Sequence, residues 1–597
     1  MNLAQSYQDL ARACNGRILV MDGGFTALLH KRNLREEDYR GKMFADHSVD
    51  LLGNDEILCI TAPERVKEVH RAYLEAGADI VRTNTGNAIS LEQEKYRLEN
   101  MAYDIALAGA KVACEAVAEY NDDVRNCKTG KLGQVVERKF VAGRMGPTSV
   151  FASGYAADGS ASDSNGIGFR EMVEAYGEQA RGLLDGGVDI LLLEGVCDAV
   201  NVKAALFAVA KVCNDRGELV PVMVSGLLSR AGGRMMAGQD VQALLHSVSS
   251  YPVFSVGFEA AGEVPDVFPF MKVAGNVAVR MSAMVDIPLE GMKPHDSDAV
   301  KERAGIVWQF TNAGLLNIAG GSASSSPDTV RFLVKVLKGC RPRRVPARRY
   351  NMLLSGLDPM NVAREGNCVM IGQNDGSKIL AVNLDAGASL AGARLARCPV
   401  MVESEKWDQL VAGMEGVQGK GLARSISLAE GEEIFLVKAA EIRKRGFAVV
   451  CFAADENGVA TTFERGVAIV ERMYRLLIGK LNFQAEDIVF EPNTALNDID
   501  PVNLLFKACR FVKATLPYAH VLGDVSRLGL DFDGNDEIRK GLMSVFLHHA
   551  KKAGLDFVVG DAEALPAYEE IPYRLCCLLE DVVLSRAPDA REKLRRL

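Results

Sequence analysis

A serine-rich segment near residue 324 groups side chains that could do chemistry. It reads Gly320-Gly321-Ser322-Ala323-Ser324-Ser325-Ser326-Pro327. Ser326 followed by Pro327 is typical of a helix N-cap with proline at the first helical position. Hydroxyl and backbone N–H groups at such a helix start can bind a phosphate or similar anion. The segment predicts an anion-binding loop at Ser322, Ser324, Ser325 and Ser326 or, in the alternative we favour, serines that fill a loop without a ligand.

Signatures of several common catalytic sites are missing from the sequence. It contains no P-loop, no Gly-x-Ser-x-Gly nucleophile elbow and no His-Glu-x-x-His zinc motif. Its 13 cysteines include no Cys-x-x-Cys pair. Scattered cysteines in a long chain indicate free thiols in a reducing compartment, so we expect a cytoplasmic protein without a disulfide framework.

Eight short apolar runs alternate with amphipathic stretches in the first half of the sequence. The runs are rich in Val, Ile and Leu and do not alternate with polar residues, which is typical of parallel strands buried on both faces. Eight such units predict a (β/α)8 barrel, and an open doubly wound sheet is the alternative. Arg280, predicted at the end of the seventh strand, would lie near the serine segment. The predicted strands are Ile18–Asp22, Asp79–Thr83, Phe140–Gly143, Asp189–Glu194, Pro221–Ser225, Val253–Gly257, Val277–Arg280 and Leu315–Ile318.

The second half of the sequence also contains eight apolar runs, but one connection is short. About six residues join the first run to the second, and a parallel crossover needs about 10–12. The two runs could form a hairpin, or one of them could lie outside the barrel; we predict a barrel with a shortened, irregular first βα unit. The runs are Val369–Gly372, Ile379–Asp385, Pro399–Glu403, Ala423–Ser427, Ala448–Ala453, Ile488–Glu491, His520–Gly523 and Asp556–Gly560.

An arginine- and proline-rich stretch, Gly339–Arg349, separates the two halves. Its lack of periodicity predicts a linker. We therefore expect an α/β chain of two tandem (β/α)8 TIM-type barrels, with boundaries at 1–338, 339–350 and 351–597.

Charge and hydropathy limit the classes of partner. The 597 residues include 69 Lys and Arg against 78 Asp and Glu, a net charge of −9. This balance argues against a broad nucleic-acid surface. No run approaches the 18 apolar residues of a membrane-spanning helix, and the first residues lack the pattern of a signal peptide.

Motifs in both halves resemble the cobalamin-dependent methionine synthase family. The first half is similar to its homocysteine-binding barrel, and the second to its barrel for methyltetrahydrofolate, a relative of dihydropteroate synthase. The matching stretches in the first half are Met21-Asp22-Gly23-Gly24, Glu75–Ile80, Thr83-Asn84-Thr85, Gly146-Pro147-Thr148, Glu194 with Asn201 and Lys203-Ala204-Ala205, Ser225-Gly226, Gly238-Gln239 and Asn317 with Gly320-Gly321; those in the second are Leu354–Leu357, Lys406-Trp407-Asp408, Gln418–Gly421, Ser425-Ile426-Ser427, Pro492-Asn493 and Gly534-Asn535-Asp536.

The resemblance implies a zinc site that this sequence has lost. In the family, three cysteine thiolates hold zinc, which binds homocysteine as a thiolate. The corresponding positions here are assigned to Phe258 and to the loop with Ser322 and Ala323. Zinc binding of the family type is therefore not expected, although Cys59 and Cys197 are candidate substitutes near the barrel mouth.

The resemblance also implies an altered pterin site. Asn383 and Asp385 remain from a family run that has a further carboxylate, where this chain has Ala381. Glu403 and Glu491 stand where the family has Asp, and Arg424 and Arg527 stand where it has Asn. Because unpaired buried charges are costly, the new arginines could pair with the new glutamates and fill the pterin cavity. The alternative is a pocket adjusted to a more anionic ligand.

The resemblance implies a methyltransferase of one-carbon metabolism. It would use methyltetrahydrofolate as a small-molecule substrate, with cobalamin carried on a separate corrinoid protein and a thiol or another group as acceptor. A non-catalytic paralogue that binds or regulates a methionine synthase or corrinoid protein is the alternative, and an anion-binding enzyme using the serine segment is a third. The predicted substrate-binding residues are Asp22, Asn84, Glu194 and Ser225 in the first barrel and Asn383, Asp385, Asp455 and Asn493 in the second.

Overall fold

The computed structural model divides into two compact units, Met1–Arg348 and Arg349–Leu597. This division falls within the predicted linker, residues 339–350. Part of that stretch belongs to the first unit, because the buried Arg343 donates to the Val277 carbonyl at 2.7 Å. The structure describes residues 2–126, 137–154, 167–230, 232–261, 266–287, 289, 297–363, 368–373, 377–492, 501–525, 532, 535–560 and 565–596.

The first unit is a closed barrel of eight parallel strands surrounded by helices. Each strand pairs with the next, and the eighth pairs with the first. The strands are β1 Leu19–Met21, β2 Ile80–Arg82, β3 Phe140–Met145, β4 Ile190–Val196, β5 Val222–Arg230, β6 Ser255–Ala260, β7 Arg280–Val285 and β8 Ile318–Gly321. The helices are Gln5–Gly16, Phe25–His30, Glu36–Arg40, Leu58–Thr61, Pro63–Ala76, Ser90–Gln93, Ala102–Arg125, Phe169–Asp185, Ala199–Arg216, Val241–Val248, Phe268–Val273, Ser297–Asn312 and Pro327–Leu337.

Alternation along each strand sends one set of side chains into the first barrel and the other toward the helices. Inward residues such as Ile80, Leu192 and Met223 form one apolar cluster, and helix Gln5–Gly16 closes its lower end with Leu10 and Cys14. The outward residues pack with the surrounding helices in a second, larger cluster. The upper end, where the strands finish, is therefore the place where polar side chains can face one another.

The second unit is also a closed barrel of eight parallel strands. A hairpin of Met352–Ser355 and Pro359–Val362 closes its lower end, with Met352 and Leu354 packed against the barrel interior. The strands are β9 Val369–Gly372, β10 Ile379–Asn383, β11 Val400–Glu403, β12 Leu422–Ile426, β13 Ala448–Phe452, β14 Ile488–Glu491, β15 His520–Asp524 and β16 Phe557–Val559. The helices are Leu390–Ala393, Trp407–Glu415, Glu432–Lys444, Phe463–Leu481, Pro501–Thr515, Asp536–Ala553, Tyr573–Val583 and Ala590–Leu594.

The predicted fold of two tandem barrels is confirmed, including the short first βα unit of the second barrel. β9 and β10 are parallel neighbours within the barrel, so neither a hairpin nor a strand outside the barrel is correct. Their ladder has only two residue pairs, Ile371 with Ile379 and Gly372 with Leu380. The end of β9 thus lies beside the start of β10. The connection between the two strands therefore does not need to run back along the length of the barrel.

Two predicted strands of the first barrel are displaced. β7 begins at Arg280 and β8 begins at Ile318, where the predicted strands ended. The apolar residues that suggested each strand lie in the segment just before it. The strands themselves are less apolar, because β7 contains Ser282 and β8 contains two glycines. Arg280 therefore lies at the lower end of the barrel, over the Phe254 ring at 4.4 Å, and not beside the serine segment as predicted.

No helix among the residues that the structure describes has the length and apolar character needed to cross a membrane.

Tyr73 connects the loops that follow the first and last strands of the first barrel. Its buried hydroxyl donates to the Gly24 carbonyl at 2.7 Å and the Ser325 carbonyl at 2.9 Å. Gly24 is required in this place because any Cβ there would collide with the Ala323 carbonyl oxygen. The two loops therefore form one packed edge of the barrel mouth.

We expect Tyr73→Phe to lower the free energy of unfolding of the first unit by about 1–2 kcal/mol, because the buried Gly24 and Ser325 carbonyls lose the one hydroxyl proton they share, although the Ser325 carbonyl keeps the Gly24 N–H as a donor. Urea denaturation measures the change. Tyr103→Phe is the matched control, since the Tyr103 hydroxyl bonds Asp185 at the exposed surface and its loss should cost much less. Equal effects of the two substitutions would contradict the role assigned to Tyr73.

Candidate functional site

Three charged side chains project into the upper end of the first barrel from neighbouring strands. Arg82 ends β2, Arg144 lies in β3 and Glu194 lies in β4. Each lies two residues beyond an inward apolar residue, namely Ile80, Ala142 and Leu192 respectively. Because inward positions recur every second residue, the three side chains share the barrel interior. We call this region the first mouth.

Arg82 ties together the two carboxylates predicted to bind substrate in the first mouth. Its Nε donates to Asp22 Oδ1 at 2.7 Å, and its backbone N–H donates to Asp22 Oδ2 at 2.8 Å. Nη1 donates to Glu194 Oε1, and Nη2 donates to the carbonyls of Asp22 and Gly23. Four of the five guanidinium N–H groups are thus engaged. Asp22 and Glu194 are brought together as predicted, but an arginine of the same chain lies between them.

Arg144 completes the pairing of Glu194. Its Nε forms a close ion pair with Glu194 Oε2, so both carboxylate oxygens of Glu194 face a guanidinium. Burial alone would raise the pKa of Glu194, but Arg82 and Arg144 outweigh it and hold that pKa below its usual value. Burial dominates at Asp22, whose pKa is raised despite its bonds to Arg82. The guanidiniums therefore keep Glu194 ionised in a site with little water.

Glu259 is a third carboxyl in the first mouth and was not predicted. It lies on the inward face of β6 and accepts a hydrogen bond from the Gly195 backbone N–H. Burial and the nearby Glu194 carboxylate raise the pKa of Glu259 to about 7, even though Arg144 and Arg82 oppose the shift. Glu259 therefore changes its charge near neutral pH.

Phe258 faces away from the first mouth. Its fully buried ring packs in the apolar cluster between strands and helices, together with Val256. The correspondence of Phe258 to a family zinc ligand remains a prediction, and the Phe258 side chain packs in the outer apolar cluster. The inward residue of this part of β6 is Glu259.

Asn84 and Ser225, the other residues predicted for the first barrel, have different environments. The Asn84 amide donates to the Asp55 carbonyl at 2.6 Å, which fixes the loop before helix Leu58–Thr61. Ser225 lies two residues beyond the inward Met223 and is 1% exposed. Its hydroxyl oxygen has no hydrogen-bond partner among the described residues. Ser225 thus offers an unused hydroxyl to the interior of the barrel.

The serine segment surrounds a carboxylate. Ser322 and Ser324 donate to Asp286 Oδ1 at 3.1 and 3.0 Å, and their hydroxyls lie 2.8 Å from each other. Ser325 Oγ lies 3.3 Å from Ser322 Oγ, and Ser326 precedes helix Pro327–Leu337 as expected of an N-cap. Asp286 therefore already accepts the hydroxyl donors that an anion would need.

The described residues do not fit a thiolate zinc site. They contain no group of three His, Cys, Asp or Glu side chains arranged to hold a metal ion. The buried Cys59 and Cys197 thiols donate to the carbonyls of Asn84 and Gly195. Burial raises the pKa of Cys59 strongly and that of Cys197 to about 12, so both thiols are protonated at neutral pH. Neither one is prepared to replace a zinc ligand.

Arg424 occupies the upper end of the second barrel, which we call the second mouth. Its Nε donates to Glu491 Oε2 at 2.9 Å and its Nη2 donates to Oε1 at 2.5 Å, a bidentate pair. Nη2 also donates to Asp524 at 2.8 Å, and Nη1 lies 3.1 Å from Glu403. One guanidinium therefore faces three carboxylates, two of which, Glu403 and Glu491, were predicted to face it. Sequence analysis missed Asp524.

The remaining residues predicted for the second mouth are engaged in local contacts. Asn383 accepts from the Ala386 backbone N–H at 2.9 Å, and Asp385 accepts from Ser404 and the Glu405 backbone. Asp455 pairs with Arg465 at 2.6 Å. These oxygens stabilise the loops that carry them. Asn493 and Arg527 lie outside the described residues.

Comparison with protein families agrees with both barrels. The family model for homocysteine S-methyltransferase matches residues 19–337. The chain belongs to the homocysteine S-methyltransferase family. A model for pterin binding enzymes matches residues 388–559, so this family member has the two-domain order of methionine synthase-like proteins. The family and its pterin-binding companion support a methyltransferase of the methionine synthase type.

Several solved structures are similar to part of the chain. The metallated homocysteine methyltransferase MmuM from Escherichia coli is 17% identical, with a TM-score of 0.39, over 53% of this chain and 95% of that one. Its oxidized form is 16% identical over the same shares, with a TM-score of 0.38. A dihydropteroate synthase from Xanthomonas albilineans is 16% identical, with a TM-score of 0.27, over 34% of this chain and 88% of that one.

We expect Arg82→Met to destabilise the first unit by about 3–5 kcal/mol at pH 8, because it leaves buried carboxylates without their cation. The loss should be smaller at pH 5, where protonation of Asp22, whose pKa is already raised, removes the charge that Arg82 alone compensates. Denaturant unfolding at the two pH values measures the difference. Arg216→Gln, which removes an exposed pair with Asp185, is the control and should cost less than about 1 kcal/mol. A pH-independent loss at Arg82 would rule out this electrostatic explanation.

Proposed function

We propose that this protein transfers methyl groups in the manner of methionine synthase, holding the methyl acceptor in its first barrel without a thiolate-bound zinc. The donor is a methyltetrahydrofolate-type pterin, and cobalamin is carried on a separate corrinoid protein. In each half-reaction a methyl group leaves one nucleophile and bonds to another, and a thiol acceptor releases its proton. Cobalamin supplies the methyl-carrying cobalt. The chain's own residues bind and orient the two substrates.

The organised charge of the first mouth is the observation that supports this proposal. Five charged groups from five strand ends converge there: Asp22, Arg82, Arg144, Glu194 and Glu259. Holding so many charges away from water is expensive for folding. Together with Ser225, they form a polar cluster in a barrel of the homocysteine S-methyltransferase family, at the end where barrel enzymes bind substrates.

The second mouth favours a second candidate function, that of a non-catalytic binding or regulatory partner. A pterin presents an amidine-like edge, and a carboxylate recognises such an edge through two parallel N–H···O bonds. Arg424 already makes that pair of bonds with Glu491. Its charge is further stabilised by Glu403 and Asp524, which raise the pKa of the guanidinium. A pterin would have to displace an internal guanidinium that uses the same recognition pattern.

Calorimetric titration with methyltetrahydrofolate distinguishes the two candidates. Micromolar binding by the unmodified protein is expected if it transfers methyl groups from folate. Weak or undetectable binding, together with binding by an Arg424→Gln variant at least tenfold tighter, is expected if Arg424 closes the folate half. Arg472→Gln is the matched control, because it removes an arginine that pairs with Glu432 and Glu456 on the surface of the same unit.

The unfolding curves of each variant establish that the second unit remains folded. Absence of binding in both the unmodified protein and the folded Arg424→Gln variant would exclude a folate site in this barrel. Folate-dependent methyl transfer would then be rejected, and the binding-partner function would remain. Tight binding by the unmodified protein would instead reject the closed-mouth interpretation.

A further inference from the structure

After Arg82 has paired with Asp22 and Glu194, three groups of the first mouth can still form hydrogen bonds or ion pairs with a ligand. Both oxygens of Asp22 accept from Arg82, and Glu194 Oε1 accepts from Arg82. Glu194 Oε2 forms an ion pair with Arg144 Nε but accepts no hydrogen bond among the described residues. Both carboxylates therefore already have a cation as a partner. The groups that remain are Arg144, Glu259 and Ser225.

Arg144 retains its terminal nitrogens. Only its Nε is committed, to Glu194, and no partner of Nη1 or Nη2 is found among the described residues. The side chain is 28% exposed, compared with 10% for Arg82, so its outer end reaches the open side of the mouth. Two parallel N–H groups of one guanidinium edge match the two oxygens of a carboxylate. Arg144 is therefore the anion-binding group of this mouth.

Glu259 carries a carboxyl that lacks a cation of its own. Its described hydrogen-bond donor is the neutral Gly195 N–H, and its charged neighbours are Glu194 on β4, Arg144 on β3 and Arg82 on β2. Three carboxyls face two guanidiniums in this mouth, which leaves one negative charge in excess when all are ionised. Glu259 and Arg144 influence each other electrostatically but form no ion pair within 4 Å among the described contacts. They are thus free to contact the two ends of a small molecule.

Ser225 supplies the independent indication that a ligand is missing. A buried hydroxyl without a hydrogen-bond partner is unfavourable and is uncommon in folded proteins. Ser225 Oγ is such a group, on the inward face of β5, next to β6, which carries Glu259. A polar ligand atom in the mouth would provide the partner that the protein itself does not.

We propose that Arg144 and Glu259 are the ligand-contacting pair of the first mouth and that they bind a small zwitterion. Arg144 binds its carboxylate, Glu259 pairs with its ammonium group, and Ser225 bonds to one of the two. Asp22 and Glu194 are positioning residues, which act through Arg82 and Arg144. This inference rests on the proposed function, because the zwitterion is then the methyl acceptor.

The pH dependence of binding has a defined sign under this assignment. Glu259 must be ionised to pair with an ammonium group, and its pKa in the empty mouth is about 7. The affinity for a zwitterion should therefore rise about tenfold from pH 6 to pH 8, the change in the ionised fraction of a group with this pKa. A ligand with the same carboxylate but no ammonium group should bind no better at pH 8, where the extra negative charge opposes it.

The experiment compares L-homocysteine with 4-mercaptobutanoate, which has the same thiol and carboxylate but lacks the ammonium group. Each is titrated calorimetrically into the full chain from about pH 6 to about pH 8. Glu259→Gln should weaken L-homocysteine binding at pH 8 at least tenfold, remove its pH dependence and change the affinity for 4-mercaptobutanoate less than threefold. Arg144→Gln should weaken both ligands. Glu218→Gln, an exposed carboxyl near the lower end of the barrel, is the matched control.

Several outcomes would overturn the assignment. If the unmodified protein binds L-homocysteine but Glu259→Gln changes neither the affinity nor its pH dependence, Glu259 is not the ammonium contact, and the proposed function stands without it. The same conclusion follows if a folded Glu259→Gln variant loses both ligands equally. If the unmodified protein binds neither ligand, homocysteine is not the acceptor and the inference is overturned, whereas the methyltetrahydrofolate titration described above decides separately whether the proposed function stands.

Discussion

Desolvation of charge controls both barrel mouths. A guanidinium or carboxylate moved out of water is tolerated only when an opposite charge and well-directed hydrogen bonds replace its hydration. Arg82 in the first barrel and Arg424 in the second each face at least two carboxylates contributed by different strands. The positions of the surrounding side chains follow from satisfying these two cations.

The two mouths differ in how many of their charged and polar groups already have a partner within the protein. In the second barrel, Asp524, Glu403 and Glu491 all serve Arg424, and the loop residues Asn383 and Asp385 are engaged locally. In the first barrel, the pairing leaves the terminal nitrogens of the half-buried Arg144 and the buried Ser225 hydroxyl without partners among the described residues, and it leaves the Glu259 carboxyl without a cation of its own. The same chain therefore presents one mouth whose central arginine contacts three carboxylates and one mouth in which the terminal nitrogens of Arg144 have no partner among the described residues. This contrast is the reason to look for the ligand of this protein in the first barrel.

The sequence predicted the fold well because continuous apolar runs identify buried parallel strands directly. It failed where strands were less apolar than their approaches, as at β7, whose start at Arg280 was predicted as an end. Asp22 and Glu194 were found through motif resemblance. Arg82, Arg144 and Glu259 were missed, although for Arg82 and Arg144 a charged residue two positions beyond an inward apolar residue was a usable signal. Which of these charges meet depends on barrel closure and strand register, and neither is visible in local sequence.

The Arg424 cluster has a consequence for how such a chain can change over generations. Replacing the arginine alone leaves Glu403, Glu491 and Asp524 crowded together without a cation. Loss of Arg424 as a single step thus passes through a less stable protein, while its loss together with the carboxylates need not. Because the effects of these substitutions depend on one another, selection that acts on one substitution at a time would be hindered from reversing them. Once it has formed, the cluster would be retained even if the second mouth no longer binds a ligand.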